Sequence, residues 1–255
     1  MDVRDKVVLL TGASMGIGLA AAQLLAQHGA KLALVARSTD KLTELADQLK
    51  AQTDVIAITA DLTNHADIQR MVTETQEHFG RIDVLINNAG QGMYVPVENI
   101  NLNQYRQIME LNVYGPLAAM QAVVPIMRAQ GGGMILNISS GVSKNYYPGL
   151  ASYASTKYAL NALTLTARAE LSHENIRVSL MHPGRTATDF GKNSISNQGV
   201  QGGPIAPPRT ANGSFAGAPQ VDTAEMVAER ILEAIQTEVP EQYMSEQQKA
   251  SFAHL

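Results

Sequence analysis

Six short and almost wholly apolar runs recur along this chain: KVVLLT at 6–11, KLALVA at 31–36, VIAITA at 55–60, VLINNA at 84–89, MILNIS at 134–139 and RVSLMH at 177–182. A strand with one wetted face alternates apolar and polar residues; these runs do not alternate, so both of their faces must be covered. Segments of helical period lie between them, at 17–28, 40–50, 66–79, 102–128 and 152–173, with a last helix at 223–237 and an extended piece at 241–245. Strand then helix, repeated, predicts an α/β fold built on a parallel sheet with right-handed crossovers and helices on both faces. Gly29 and Gly80 stand where helix C-termini call for a left-handed residue, which fixes two helix ends.

At 255 residues the chain is long enough to enclose such a sheet as a single domain, 1–255. One stretch escapes the pattern. From about 190 to 220 it is rich in Gly and Pro and has no apolar period, and its position after the sixth run suits a substrate lid.

Composition removes several function classes. The net charge is −4, and no basic run is interleaved with aromatics, which argues against a nucleic-acid partner. The opening MDVRDKVVLLTG reads as neither a signal peptide nor a membrane span, and the longest apolar-rich helical stretch, 116–127, is interrupted by Gln121 and Pro125, so no membrane partner is expected. Cysteine is absent, which excludes disulfides and thiolate metal sites and fits a reducing, cytoplasmic compartment; no metal is expected.

The first run leads directly into TGASMGIG (11–18) and then a helix. Glycines there allow a sharp turn and a close backbone approach, and the amides of a helix N-terminus would face an anion such as a pyrophosphate. A second pattern, YASTK (153–157), sets a phenol and an ammonium four positions apart on one helix face. A phenol near pKa 10 is a poor acid or base at neutral pH. An ammonium about 5 Å away, at an effective dielectric near 20, favours the phenolate by roughly 3 kcal/mol, or about two pKa units, and makes it usable in proton transfer.

These two patterns belong to an ordered set that also contains NNAG (87–90), LNVYG (111–115), ISS (138–140) and PGRTAT (183–188). Together, over roughly residues 5–190, they resemble the short-chain dehydrogenase/reductase family. The resemblance implies a Rossmann-type doubly wound parallel sheet of about seven strands and an oxidoreductase that moves hydride between a nicotinamide dinucleotide and a small-molecule carbonyl or alcohol. It also implies catalytic roles for Asn112, Ser140, Tyr153 and Lys157: Tyr153 moves the proton, Lys157 supports it and binds the nicotinamide ribose, Ser140 bonds the substrate oxygen, and Asn112 holds a relay water. Ser139 is the less suitable of the two serines, and Asn87 suits a structural role between strands.

The same resemblance assigns Gly12, Ser14, Gly16, Ile17 and Gly18 to the pyrophosphate turn and Asp61 and Leu62 to adenine. It puts Asn88, Ala89 and Gly90 beside the adenosine, and Pro183, Gly184, Thr186 and Thr188 at the carboxamide, with backbone contact expected at Thr186. His182 reads as a packed strand-end residue.

A carboxylate at the tip of the second run would signal NAD(H). The chain has Ala36 there, followed by Arg37 and Ser38, a guanidinium and a hydroxyl at a helix start that suit a 2′-phosphate, so NADP(H) is favoured over NAD(H). The resembled family's members with extra basicity often place another Lys or Arg where this chain has Met15. Met93, Tyr94, Val142 and Tyr147, with Tyr146, give the expected pocket apolar and aromatic walls and no Arg clamp, pointing to a neutral ketone or aldehyde.

An NADPH-dependent carbonyl reductase is therefore the leading expectation. The alternatives are a 3-oxoacyl reductase, an alcohol or hydroxysteroid-type dehydrogenase, and a non-catalytic dinucleotide sensor. The ending YMSEQQKASFAHL lacks the glycine-rich close usual for 3-oxoacyl reductases. Apolar circumference on 102–128 and 152–173 points to a homodimer or homotetramer.

Overall fold

In the computed structural model, which describes residues 1–196 and 221–252, the six apolar runs form six strands of one parallel sheet. They are β1 (Val7–Thr11), β2 (Lys31–Ala36), β3 (Val55–Thr59), β4 (Val84–Asn87), β5 (Gly133–Ile138) and β6 (Ile176–His182); the extended piece near the C-terminus adds β7 (Glu241–Tyr243) at one edge. The spatial order is β3-β2-β1-β4-β5-β6-β7, and every pairing is parallel. The chain winds outward from β1 to β3 and then returns to start again at β4. The carboxyl ends of β1 and β4 therefore flank a topological switch point, where a doubly wound sheet opens a crevice for ligands.

The helices are α1 (Gly16–Gln27), α2 (Thr39–Leu49), α3 (His65–Phe79), α4 (Leu102–Met109), α5 (Gly115–Ala129), α6 (Ala151–Leu171), α7 (Ala224–Thr237) and α8 (Glu246–Phe252). Successive residues of β1 serve opposite layers. Val8 and Leu10 pack with Leu25 of α1 and Ile231 of α7, while Leu9 packs with Met71 of α3 and Val123 of α5. This double coverage is why the runs are apolar throughout: each fully buried Leu or Ile contributes about 1.5–3 kcal/mol, and a polar residue on either face would forfeit it.

Two helix ends follow the sequence reading. Gly80 caps α3 in the left-handed region at φ 75°, and Gly29 follows α1 at φ 79°. The long helix expected over 102–128 is instead divided into α4, a π-helical turn at Glu110–Tyr114, and α5. Pro116 has no N–H, so the carbonyl of Asn112 cannot receive its ordinary i+4 bond, and the chain takes a wider turn there. Gly115 permits the close approach that follows, because a Cβ at that position would stand 2.6 Å from the Leu62 carbonyl oxygen. The helix expected over 152–173 starts at Ala151, gives way at its end to a 3-10 turn, Ser172–Glu174, and stops at Asn175, which is left-handed at φ 57°.

The expected lid is described only as far as residue 196; its remainder, 197–220, lies outside the described residues. Among the described residues, no helix is long and apolar enough to cross a membrane.

Candidate active site

The turn after β1 is braced by the loop after β4. The Asn88 side chain donates to the carbonyls of Thr11 (2.9 Å) and Gly12 (3.1 Å), and the Thr11 hydroxyl accepts from the backbone N–H groups of Asn88 and Ala89. Gly12 needs to be glycine twice over: its φ is +69°, and a Cβ would stand 2.9 Å from Ala89 Cα. At Gly18 a Cβ would overlap the Gly12 carbonyl, so α1 starts tight against the turn. The N-cap of α1 is Met15, which offers no side-chain bond to the first amides. Those amides are left for an anion, as at a pyrophosphate site. Ser14 and Ile17 are half-buried at its rim, and Thr188 reaches back over Gly16, where a Cβ would lie 3.3 Å from Thr188 Cγ2.

At the tip of β2, Arg37 is exposed and makes no hydrogen bond or ion pair with described residues. Ser38 is the N-cap of α2, and its hydroxyl bonds none of that helix's amides. A cation, a hydroxyl and helix amides are thus available together for a phosphate. Asp61 accepts from both the N–H and the hydroxyl of Thr63 through Oδ1, which fixes the turn that carries Leu62.

The residues expected to be catalytic meet at the carboxyl ends of β4 and β5. Tyr153 and Lys157 lie one turn apart on α6; both are buried, with Lys157 Nζ 5.9 Å from the centre of the Tyr153 ring and donating to the Ile138 carbonyl at 2.9 Å. Burial pushes the Tyr153 phenol up to about 12, against the pull of the Ser140 hydroxyl, and pushes Lys157 down to about 8. Spacing alone suggests that Lys157 lowers the phenol; in the folded chain the phenol is raised, because burial in so enclosed a site disfavours its charged form.

Asn112 is fully buried in the π-helical turn. Its amide clasps the Gln91 backbone, donating to the carbonyl and accepting from the N–H at 2.9 Å each, and also donates to Thr156 Oγ1. Its side chain holds the Gly90–Gln91 backbone beside Lys157: a Cβ at Gly90 would stand 3.2 Å from Asn112 Oδ1 and 3.7 Å from Lys157 Nζ.

Ser140, half-buried, starts the 3-10 turn Gly141–Lys144. Ser139 is sealed by Asn161 and Ser143. Asn87 bonds Asn137 of the neighbouring strand at 2.8 Å. Pro183 and Gly184 follow β6, and Pro183 accepts from the Gly141 N–H at 3.0 Å. Thr186 bonds back to the Gly184 carbonyl through its hydroxyl.

The pocket walls differ from the sequence reading in two places. Met93 is fully buried in a small cluster with Val95 and Ile108, so it supports the wall from behind. Tyr146 is 81% exposed and stacks on Tyr158 at the surface. Tyr94, Val142 and Tyr147 remain half-buried around the site, Tyr94 against Gly149.

Several contributors carry no sequence motif. Phe190 packs on Tyr153, with ring centroids 5.7 Å apart, and the two-residue strand Ile195–Ser196 pairs with Met93–Tyr94. Gly92 makes room for this cover, since a Cβ there would overlap Ser194 Oγ and lie 3.0 Å from Phe190 Cε1. His182 is fully buried and stacked on Tyr243. Among the described residues, no group of three or more acidic or His side chains forms a metal site.

Known proteins resemble this chain in sequence and in fold. A family model described as short chain dehydrogenase matches residues 6–199. An uncharacterized oxidoreductase of Staphylococcus saprophyticus is 39% identical over 74% of this chain and 77% of its own, and a 3alpha-hydroxysteroid dehydrogenase of Mediterraneibacter gnavus is 34% identical over the same shares. Among solved structures, a short chain dehydrogenase/reductase from Burkholderia phymatum in complex with NAD superposes with TM-score 0.85 at 25% identity, covering 99% of this chain and 93% of that one. A metagenomic short-chain oxidoreductase in complex with NADP superposes with TM-score 0.74 at 28% identity, covering 94% and 97%.

Proposed function

The chain belongs to the short chain dehydrogenase family, an oxidoreductase family of nicotinamide dinucleotides, and we propose that it is an NADPH-dependent carbonyl reductase acting on neutral ketones or aldehydes. The observation that carries this reading is the convergence of Tyr153, Lys157 and Ser140 beneath Phe190, on the side of the sheet where the uncapped start of α1 awaits an anion.

When bound, the dinucleotide supplies the hydride for the carbonyl carbon. Ser140 donates to the carbonyl oxygen and fixes its position. Tyr153 gives its phenolic proton to the same oxygen. A phenol at about 12 remains far more acidic than an alcohol, so transfer to a developing alkoxide runs downhill. Protonated Lys157 then stabilises the phenolate, by about 3 kcal/mol for unit charges roughly 5 Å apart at an effective dielectric near 20. Asn112 holds the Gln91 backbone, and through it one wall of the pocket.

The solved relatives include complexes with both NAD and NADP, so the preference for NADP(H) rests on Ala36, on Arg37, unpartnered among the described residues, and on Ser38. The hydroxysteroid dehydrogenase relative favours a second reading, oxidation of a secondary alcohol on an apolar frame, which the same residues perform in reverse. We also read Leu102, Tyr114, Tyr158 and Leu165, exposed on α4, the π-helical turn and α6, as a self-association face of a homodimer or homotetramer. A monomeric mass by light scattering at micromolar concentration would refute that.

A panel of ketones and aldehydes with NADPH or NADH, followed at the nicotinamide absorbance band, tests the main reading. Tyr153→Phe separates enzyme from sensor: turnover should vanish while the dinucleotide still binds. Wild-type protein that turns over no carbonyl or alcohol would sink the reductase assignment.

A further inference from the structure

Ser140 can serve only if the turn that follows it holds still, and that turn is anchored at both ends. At its start the Gly141 N–H donates to Pro183 O, and Ser143 bonds back to the Ser140 carbonyl through N–H and hydroxyl. At its end Lys144 Nζ lies 3.2 Å from Oε2 of Glu241 in the edge strand β7. The same oxygen accepts from Tyr243 Oη at 2.7 Å and lies 2.8 Å from Nε2 of His182. His182 is fully buried and stacked on Tyr243 at 4.9 Å, its Nδ1 has no partner among the described residues, and it immediately precedes Pro183. The Tyr243 ring fixes the plane of this imidazole, and the bond to Glu241 fixes its rotation within that plane.

Resting on the reductase reading, we infer that Glu241 is a positioning residue: its carboxylate ties the Ser140 turn, through Lys144, and the Pro183–Gly184 segment, through His182, to one fixed point. Glu241 touches neither substrate nor dinucleotide and acts through the two segments that do. The His182 bond, joined by Tyr243 and Lys144, holds its carboxyl down at about 2, so it is ionised throughout the working range. Lys144 is engaged by it and adds no free cation to the pocket wall, in keeping with a neutral substrate. Edge strand β7 lies 59 residues beyond His182 in sequence, so no local motif announces the tie.

The test uses Glu241→Gln, Lys144→Met, their double variant and Lys144→Arg. We expect Glu241→Gln and Lys144→Met each to lower kcat about tenfold, as small misplacements of a reacting group do. The NADPH dissociation constant, read by fluorescence titration, should stay within about twofold in Lys144→Met, which leaves the His182 tie in place. The double variant should fall no further than the worse single, and Lys144→Arg should restore most of the rate. Backbone amides of 140–146 should exchange hydrogen faster in both single variants, and those of β1 should not. Unchanged exchange over 140–146 overturns the tie whatever the turnover shows. Unchanged kcat in an active enzyme, or fully additive losses, overturns the positioning role. An inactive wild type with raised exchange in the variants overturns the reductase reading instead, and the positioning role with it.

Discussion

Lys157 Nζ lies 5.9 Å from the centre of the Tyr153 ring, and burial drives the two groups apart, the phenol up to about 12 and the ammonium down to about 8. The fold therefore holds both residues where their charged forms are disfavoured, a local arrangement that suits proton transfer and opposes stability.

Replacing Lys157 by Met should make the unliganded protein more stable while abolishing turnover. Below pH about 8 the folded chain keeps a buried ammonium that the unfolded chain keeps in water, so the penalty is fully present there. From about 8 to 10.5 the unfolded chain binds the proton and the folded one does not, so wild-type stability gains as pH rises through that window. Lys157→Met should gain about 1–3 kcal/mol at pH 7, net of the lost bond to Ile138, and the gap should narrow above pH 8. Urea denaturation at pH 7 and pH 10 checks this; a less stable variant at pH 7 would contradict it.

The same value shapes the rate. On the proposed reductase reading, reduction needs Tyr153 protonated and Lys157 charged, and Tyr153 stays protonated to about 12. For carbonyl reduction kcat/KM, which reports the free enzyme, should fall as pH rises through about 8. A profile flat to pH 10 would mean that the charge on Lys157 is not required.

What the sequence disclosed and what it withheld divide along physical lines. The six strands were legible because burial on both faces leaves an unbroken apolar run, and Gly29 and Gly80 marked helix ends because left-handed backbone strongly favours glycine. The π-helical turn was not read, although Pro116, four residues after Asn112, carried the signal. Nothing local announces the pairing of Met93–Tyr94 with Ile195–Ser196, since two-residue strands exist only once the fold brings them together. The opposed shifts of Tyr153 and Lys157 were likewise hidden, because spacing gives the attraction between two groups but not their burial.

Arg37 sets the choice of dinucleotide if the phosphate reading holds. Its side chain is exposed and unpartnered among described residues, so removing it should leave the fold unchanged. Arg37→Ala should weaken NADPH about 10- to 100-fold, the range for one charge-assisted bond of about 1.5–3 kcal/mol, and leave NADH within about twofold. Equal losses for both, or a wild type that prefers NADH, would remove the 2′-phosphate from this position.

Gly92 tests the cover over Tyr153. Its φ is outside the left-handed region, so Ala can adopt the backbone, and what suffers is the segment above it. The new Cβ would overlap Ser194 Oγ and stand 3.2 Å from Ser194 Cβ and 3.0 Å from Phe190 Cε1, too many close neighbours for one rotation to relieve. Gly92→Ala should therefore lift residues 190–196 without unfolding the sheet. Denaturation should move by less than about 1 kcal/mol, while amides of 190–196 exchange faster and kcat falls several-fold as water reaches the phenol. If exchange over 190–196 and kcat are both unchanged, Phe190 does not shield Tyr153 in solution.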